Sequence, residues 1–547
     1  MLPRHLASKI WFDLRHYSLD TFKDDLLAGL VTGIVAIPLS LALAIATGVP
    51  PVWGLYTAAV AGLVAAFFSG SRFSVSGPAA AMVPILAPII TLYGIDNLPI
   101  IGLIAGLMLI FLGIVGFGSM IKYVPAAVTY GFTAGIAVVL FCGQLNSFLG
   151  LHGIVAEERF HLKVLETLKH LHTIDPPTLI IGLVALVILL GLPYLRGFSK
   201  VPPSLAAVIV CTVIAILFPY FHGVATIETA FGQIALGFPP ITIPHVSGDL
   251  LRLVVPAFKI AFLISIESLL CAVVADKMTR TRHRPNQELV AQGIANLFTP
   301  FFSGIPATAV IARTGTNIKN GAKTRISSVI HALFVLLFLL VIAPLGSKIP
   351  LTVLAAVLFI TAWKISEYHA IKKLTSLAPR TDLVVLYGTF FLTVFWDLTI
   401  AVGVGLFLAA LLVFRKLSTI YAEDITPETI YVSEYVRGVL KKRHDIQLVN
   451  LEGNLSMGFG DSLLTFFQIH EDTKHLILRF REVHMIDLSG LESLEDLIRT
   501  AHTRGIKVYM TSFNKRVMPY IHRYRLDKEV AGIYTGVTEA VEMLDKK

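Results

Sequence analysis

The stretch Ser69-Gly70-Ser71-Arg72-Phe73-Ser74-Val75-Ser76-Gly77-Pro78-Ala79-Ala80-Ala81-Met82 interrupts a long apolar region in an informative way. Phe73 and Val75 alternate with serines, which is the period of an extended chain. Gly77-Pro78 then opens a helix, since proline fits a first helical turn where no N–H is needed. A second stretch has the same layout: Ser303-Gly304-Ile305-Pro306-Ala307-Thr308-Ala309-Val310-Ile311-Ala312-Arg313-Thr314-Gly315. It reads as extended up to a helix that starts near Arg313. Both are therefore short extended pieces, each feeding the N-terminus of a half-helix.

Around them the chain is strongly apolar. Of 547 residues, 55% are hydrophobic and 15% charged, against roughly 25% charged in a soluble domain. An ordinary water-soluble enzyme and a disordered chain are both excluded. Three cysteines, Cys142, Cys211 and Cys271, sit within apolar runs and read as packing residues, not a disulfide framework. Apolar cores lie near 26–47, 51–69, 98–119, 124–144, 177–195, 201–219, 251–275, 324–345, 350–365, 381–396 and 398–414. A span needs roughly 20 such residues. The short or broken segments near 77–92, 286–302 and 306–320 bring the expected total to fourteen. The two interrupted segments are then third and tenth, equivalent places in two sets of seven. Such a pair points to an inverted-repeat transporter with its site near the bilayer midplane.

The charge pattern gives an orientation. The net charge is +9, and the basic residues cluster between spans. Lys277, Arg280, Arg282 and Arg284 follow the eighth segment; Lys372, Lys373 and Arg380 follow the twelfth; Arg196 and Lys200 follow the sixth. The link 222–249 has no Lys or Arg. This alternation fits the positive-inside rule, with both termini cytoplasmic, and not nucleic-acid binding. Residues 1–23 show no cleavable signal and read as a cytoplasmic N-terminal segment. The transmembrane domain is expected over 24–416, a linker over 417–429 and a cytoplasmic α/β domain over 430–547. Strands are read there at 446–452, 475–480 and 506–511, and helices at 460–470, 489–503, 513–523 and 536–545.

Chemistry narrows to a few residues. Two half-helix N-termini offer free N–H groups and positive dipole ends, which suit an anion. The small residues at 79–81 and 307–309 let a small ligand approach the backbone. Arg313 is costly within a span, so it faces a cavity or a partner, and at a half-helix start it adds a full charge. Glu267 lies mid-span; a carboxyl out of water can take up and release a proton in the working range, as coupling to protons requires. Lys259 lies two turns away on the same face. Glu288, Gln292 and Asn296 form a polar stripe read as a packing or interdomain face, and His331 and Thr133 read as satisfied core polar groups. No catalytic triad, metal-ligand spacing or phosphate loop is present, so no enzyme, ATP hydrolysis, cofactor or metal is expected.

Several of these stretches resemble the sulfate permease family of anion transporters, also called the solute-carrier-26 type. They are Ala28 to Pro38, Ser74-Val-Ser-Gly-Pro78, Glu267-Ser-Leu-Leu, Ala291 to Asn296, Gly304-Ile-Pro-Ala-Thr-Ala and Ala312 to Thr324. Ile486-Asp-Leu-Ser-Gly490 is similar to the strand-to-helix turn of a STAS domain. The resemblance implies a polytopic α-helical membrane protein with a 7+7 inverted repeat, core and gate domains, and a cytoplasmic α/β STAS domain. It implies elevator-type alternating access and a homodimer, with a possible cytoplasmic partner at the STAS domain. Carried over by motif, the anion site comprises Ser76, Gly77, Pro78, Ala79, Ala312, Arg313 and Thr314.

The expected protein is a secondary transporter in the inner (plasma) membrane. It moves a small anion such as sulfate, bicarbonate or a C4-dicarboxylate, with Glu267 coupling transport to protons. The alternative is an anion channel or a membrane anion sensor signalling through the STAS domain. Sodium-coupled bicarbonate members carry Asp where Glu267 stands and hydroxyls matching Cys271 and Ile311, which favours protons here. The segments 69–78 and 266–274 look most like a bacterial C4-dicarboxylate member. Leu488 stands where phosphorylatable STAS relatives have their target, with Ser489 beside it.

Overall fold

Helix breaks in this chain follow its glycines and prolines. The computed structural model describes residues 17–155, 160–195, 201–245, 249–396, most of 400–411, 421–425, 433–455, 470 and 472–546. Helix α1 (Leu19–Thr47) starts at Ser18, whose hydroxyl accepts from Thr21 N, and stops at Gly48 in the left-handed region, φ 87°. Then come α2 (Pro51–Phe68), β1 (Ser76–Gly77), α3 (Val83–Tyr93), α4 (Leu98–Val115), α5 (Ala126–Leu149), α6 (Phe160–Lys169), α7 (Pro176–Gly191), α8 (Pro203–Leu217) and α9 (Ile227–Phe231). The second half holds α10 (Val254–Thr279), α11 (Pro285–Phe298), β2 (Thr308–Ala309), α12 (Ile311–Lys319), α13 (Ile326–Val341), α14 (Ala343–Ser347), α15 (Leu351–Ile365), α16 (Tyr368–Leu377) and α17 (Arg380–Phe395).

Among the described residues, seven helical stretches are long and apolar enough to cross a membrane, and Ala80–Tyr93, Pro203–Leu217 and Ile326–Val341 are shorter apolar helices. In the apolar run 398–414 the described residues, most of 400–411, are helical, whereas the helix expected at 460–470 lies outside the described residues except at its last residue.

Two apolar clusters organise the spans. One joins α1, α2, α5, α7, α8, α13 and α15 around Leu41, Leu55, Leu140, Ile181 and Val353. The other joins α1, α3, α4, α5, α10 and α11 around Leu86, Ile101, Leu109, Ile136, Ile264 and Leu289. Helices α4 and α11 approach with no side chain between them. A Cβ on Gly106 would lie 2.9 Å from Gly293 O, and one on Gly293 2.7 Å from Gly106 O. Small residues at such a crossing let backbones approach closely in lipid, where burial gives helices little reason to associate.

The chain divides into two compact units, Met1–Phe407 and Leu408–Lys547. The second is a five-stranded sheet in the order β3 (Tyr421–Asp424), β4 (Ile446–Leu455), β5 (His475–Ile486), β6 (Lys507–Thr511), β7 (Gly532–Tyr534). Only β3 is antiparallel to its neighbour; the other pairs are parallel. Helices α18 (Glu434–Lys442), α19 (Leu488–Thr503), α20 (Met518–Tyr524) and α21 (Val537–Asp545) cover it. Val449, Leu478 and Met510 pack with α19 and α20; Leu448, Ile477 and Tyr509 pack with α18 and α21. A parallel sheet needs both faces covered in this way. The edge strands β3 and β7 and helix α18 were absent from the sequence reading. They are short, and β3 falls within the stretch read as a linker.

Candidate anion site

The two interrupted segments meet. Strands β1 and β2 pair antiparallel, with Ser76 opposite Ala309 and Gly77 opposite Thr308. Val310 N extends the pair by donating to Val75 O at 2.9 Å. Beyond Gly77 the chain passes Pro78 and extended Ala79, then a single turn over Ala80–Met82, into α3. Beyond Val310 it enters α12, whose first ladder bond runs from Thr314 N to Val310 O at 2.9 Å. The amides of Ile311, Ala312 and Arg313 come before that bond, as do the first amides of any helix. Each helix runs away from the strand pair, so both N-termini face it.

Arg313 spans the gap between the two segments. It is fully buried. Its Nη2 donates to Ser40 Oγ on α1 at 2.9 Å and to Pro78 O at 3.3 Å. Its Nε and Nη1 have no hydrogen-bond partner, and no ion pair to it occurs among the described residues. Nη1 lies so close to Gly77 that a Cβ there would be 2.3 Å away. Glycine at 77 is therefore what allows the guanidinium to reach the strand pair. A buried charge with donors to spare and no counter-charge is costly, so such a group belongs beside an anion.

The expected site residues divide by role in the geometry. Gly77, Pro78, Ala79 and Arg313 come together at the helix starts. The hydroxyl of Ser76 accepts from Gln292 Nε2 at 2.8 Å. Thr314 Oγ1 accepts from Val75 N at 3.0 Å and from Cys271 Sγ at 3.2 Å. Both side chains brace the strands. Ala312 is exposed. Glu267, on α10, is 8% exposed and has no hydrogen bond or ion pair among the described residues. Its neighbour Ser268 bonds Thr308 Oγ1 at 2.7 Å and accepts from Ala309 N at 3.3 Å, tying α10 to β2.

One reading of the sequence is sharpened and one needs correction. The stripe Glu288, Gln292, Asn296 is a buried packing face, and it does more than fill space. It holds both interrupted segments: Glu288 Oε2 accepts from Ser69 Oγ (2.5 Å), Gly70 N (2.9 Å) and Ser71 N (3.1 Å). Asn296 bonds both backbone groups of Ala307 at 2.8 Å. The four-residue spacing was visible, but the partners of Glu288 and Gln292 lay more than 200 residues away in the chain, while Asn296 bonds Ala307 nearby. His331 is not a satisfied core group: it is fully buried and neither ring nitrogen has a hydrogen-bond partner. It sits near the strands, since a Cβ on Gly62 would lie 3.3 Å from Ser76 O and 3.7 Å from His331 Nδ1.

Asp25 was not singled out, yet it is fully buried at the start of α1. It accepts from Lys323 N (2.7 Å), Thr324 N (3.0 Å) and Thr324 Oγ1 (2.5 Å), and so fixes the turn after α12. An acidic residue near the first turn of an apolar run was its one sequence signal.

Residues 22–389 match the family described as the sulfate permease family. The chain belongs to the sulfate permease family. Residues 437–540 match the STAS domain. Among its relatives, YvdB of Bacillus subtilis is 39% identical over 512 residues, covering 93% of this chain and 94% of that one. The bicarbonate transporter BicA of Picosynechococcus is 29% identical over 524 residues, covering 93% and 92%. The structure of SLC26A9 superposes with a TM-score of 0.83 at 20% identity over 98% of this chain and 92% of that one, which establishes a shared fold. This sulfate permease family member is thus a multi-pass membrane transporter for anions and not an enzyme. Its Asp487 caps α19 of the STAS domain, accepting from Gly490 N at 2.9 Å. Leu488 beside it is exposed.

Proposed function

We propose that this transporter is a secondary active carrier that moves sulfate or bicarbonate together with protons, by an elevator-type movement of the part that holds the β1–β2 pair. The observation behind it is Arg313: a fully buried guanidinium without a carboxylate partner, at the junction of two helix N-termini. Backbone amides and this charge receive the anion between Gly77–Ala79 and Ala312–Thr314. Sulfate follows from the family and bicarbonate from BicA; a C4-dicarboxylate stays a third substrate to test. Glu267 is the proton carrier in this reading, because it is buried yet unpaired among the described residues. Cys271 bonded to Thr314 offers a thiol where sodium would want a hard oxygen, which favours protons. The fourteen spans form two inverted sets of seven in the inner membrane, with both termini cytoplasmic. Two copies associate, and residues 430–547 serve assembly or a cytoplasmic partner.

The test is uptake by the purified protein in liposomes, using labelled sulfate, bicarbonate and succinate with and without an imposed pH gradient. The reading expects accumulation of sulfate or bicarbonate that rises with an inward proton gradient. Flux that never exceeds electrochemical equilibrium marks a channel instead, and uptake of none of the three rejects the substrate class.

A further inference from the structure

Arg313 on α12 and His331 on α13 are both fully buried, and both carry polar atoms without a hydrogen-bond partner among the described residues. These are Nε and Nη1 of the guanidinium and Nδ1 and Nε2 of the ring. Helix α2 measures the gap between them. A Cβ on Gly77 would lie 2.3 Å from Arg313 Nη1 and 3.5 Å from Ala58 Cα, and one on Gly62 would lie 3.7 Å from His331 Nδ1. Ala58 and Gly62 are one turn apart on α2, so the two groups are seated roughly 5.4 Å from each other along its axis. Two more buried groups join them. Asn317 follows Arg313 by one turn on α12; its Nδ2 donates to Phe73 O at 3.3 Å and to Ser327 Oγ at 2.9 Å, and its Oδ1 has no partner among the described residues. Ser328, one turn before His331 on α13, donates to Ser74 O at 3.1 Å, and Ser74 Oγ likewise has no partner there.

We propose that this pocket is a site for ordered water, and that His331 is a positioning residue for Arg313 acting through that water, a role that rests on the reading of Arg313 as the anion's partner. The set of groups is mixed. Arg313 offers donors only, Asn317 Oδ1 is an acceptor only, and Ser74 Oγ and a neutral imidazole can each give and receive. An anion would meet only the donors and a cation only the acceptors. Water meets both, and internal waters sit on buried polar groups that the protein itself does not satisfy. One water bridges two polar atoms roughly 5.5 Å apart, twice an ordinary hydrogen-bond length. Such a water accepts from one unpartnered guanidinium N–H and donates to the bare ring nitrogen. Arg313 is then held on one side by Ser40 and Pro78 and on the other by His331, with its remaining N–H left for the anion.

The test is uptake of labelled sulfate and of labelled bicarbonate by the full-length protein in liposomes, together with a high-resolution map of the wild type. His331→Leu removes the ring's polar atoms from a buried place where the protein does not pair them, so this variant folds with a Tm no lower than wild type. The expected result is a half-saturating concentration raised at least fivefold, with the maximal rate changed less than twofold. His331→Gln, whose amide keeps a donor and an acceptor, recovers most of that loss. In an Arg313→Gln background, His331→Leu adds less than twofold. A space-filling role gives the reverse order, with Leu better than Gln, and overturns the proposal, as does the same factor in both backgrounds. The map is expected to show water within hydrogen-bond distance of both Arg313 and His331; a dry pocket overturns the proposal whether or not either anion is carried. No uptake of either anion by the wild type strikes the transport reading alone, and the map then decides the role of His331.

Discussion

Two buried carboxylates on successive helices, Glu267 on α10 and Glu288 on α11, have opposite surroundings. Glu288 receives Ser69 Oγ, Gly70 N and Ser71 N on one oxygen and Gln292 Nε2 (3.0 Å) on the other. Glu267 receives nothing among the described residues and keeps 8% exposure. A carboxylate accepting several buried N–H and O–H groups is held in one position by them. One without partners is not held in this way. The comparison separates an acid bonded into the entry to β1 from one, on the helix tied to β2, that the proposed function uses as its proton carrier.

The largest effect that sharpens this comparison is expected from Glu288→Ala. It strips Gly70 N of its acceptor and takes one of two acceptors from Ser69 Oγ, Ser71 N and Gln292 Nε2, so stability falls by about 3 kcal/mol, read as a lowered Tm and loss of the folded peak in detergent. All uptake disappears with it. Glu267→Gln behaves in the opposite way: stability stays within about 1 kcal/mol of wild type, while gradient-driven accumulation of anion in liposomes is lost. If Glu267→Gln unfolds the protein, or leaves proton-driven uptake intact, the division between the two acids is broken. Arg313→Gln comes third. Losing a charged hydrogen-bond donor from a buried site costs about 1.5–3 kcal/mol, roughly tenfold to a hundredfold in anion affinity, measured as the half-saturating concentration for uptake.

The smallest effect comes from an acid of a third kind, Asp445 in the STAS domain. Arg443 donates to both of its oxygens, at 2.8 and 2.9 Å, and holds the carboxyl below the usual range. A depressed carboxylate stabilises the fold above its unfolded pKa, about 3.9, and that stability is lost as pH falls through the lower, folded value. The pair is partly wet, so the effect is slight. Protection of the amides of β4 and β5, taken relative to the intrinsic exchange rate at each pH, should fall slightly on acidification in wild type, and Arg443→Gln should flatten this acid-side dependence.

The interrupted segments were legible because glycine and proline stand together there, beside a serine-rich extended stretch that does not suit a continuous span. Gly77-Pro78 and Gly304-Ile-Pro306 marked both breaks, and Arg313 stood out by its cost in lipid. What the sequence hid is the bracing. Ser69 to Glu288 and Ser76 to Gln292 are contacts across more than 200 residues, and local pattern cannot locate such partners. Periodicity found the long parallel strands β4, β5 and β6. It missed β3 and β7, which run four and three residues, too short for an alternating pattern to emerge.

The most direct measurement is an experimental structure of the full chain with selenate, whose scattering marks a sulfate-like anion. The account predicts selenate between the starts of α3 and α12, within hydrogen-bond reach of the amides near Ala79 or Ala312 and close to Arg313. Selenate bound elsewhere at saturating concentration, with Arg313 still turned to Ser40 and Pro78 and nothing beside it, contradicts it.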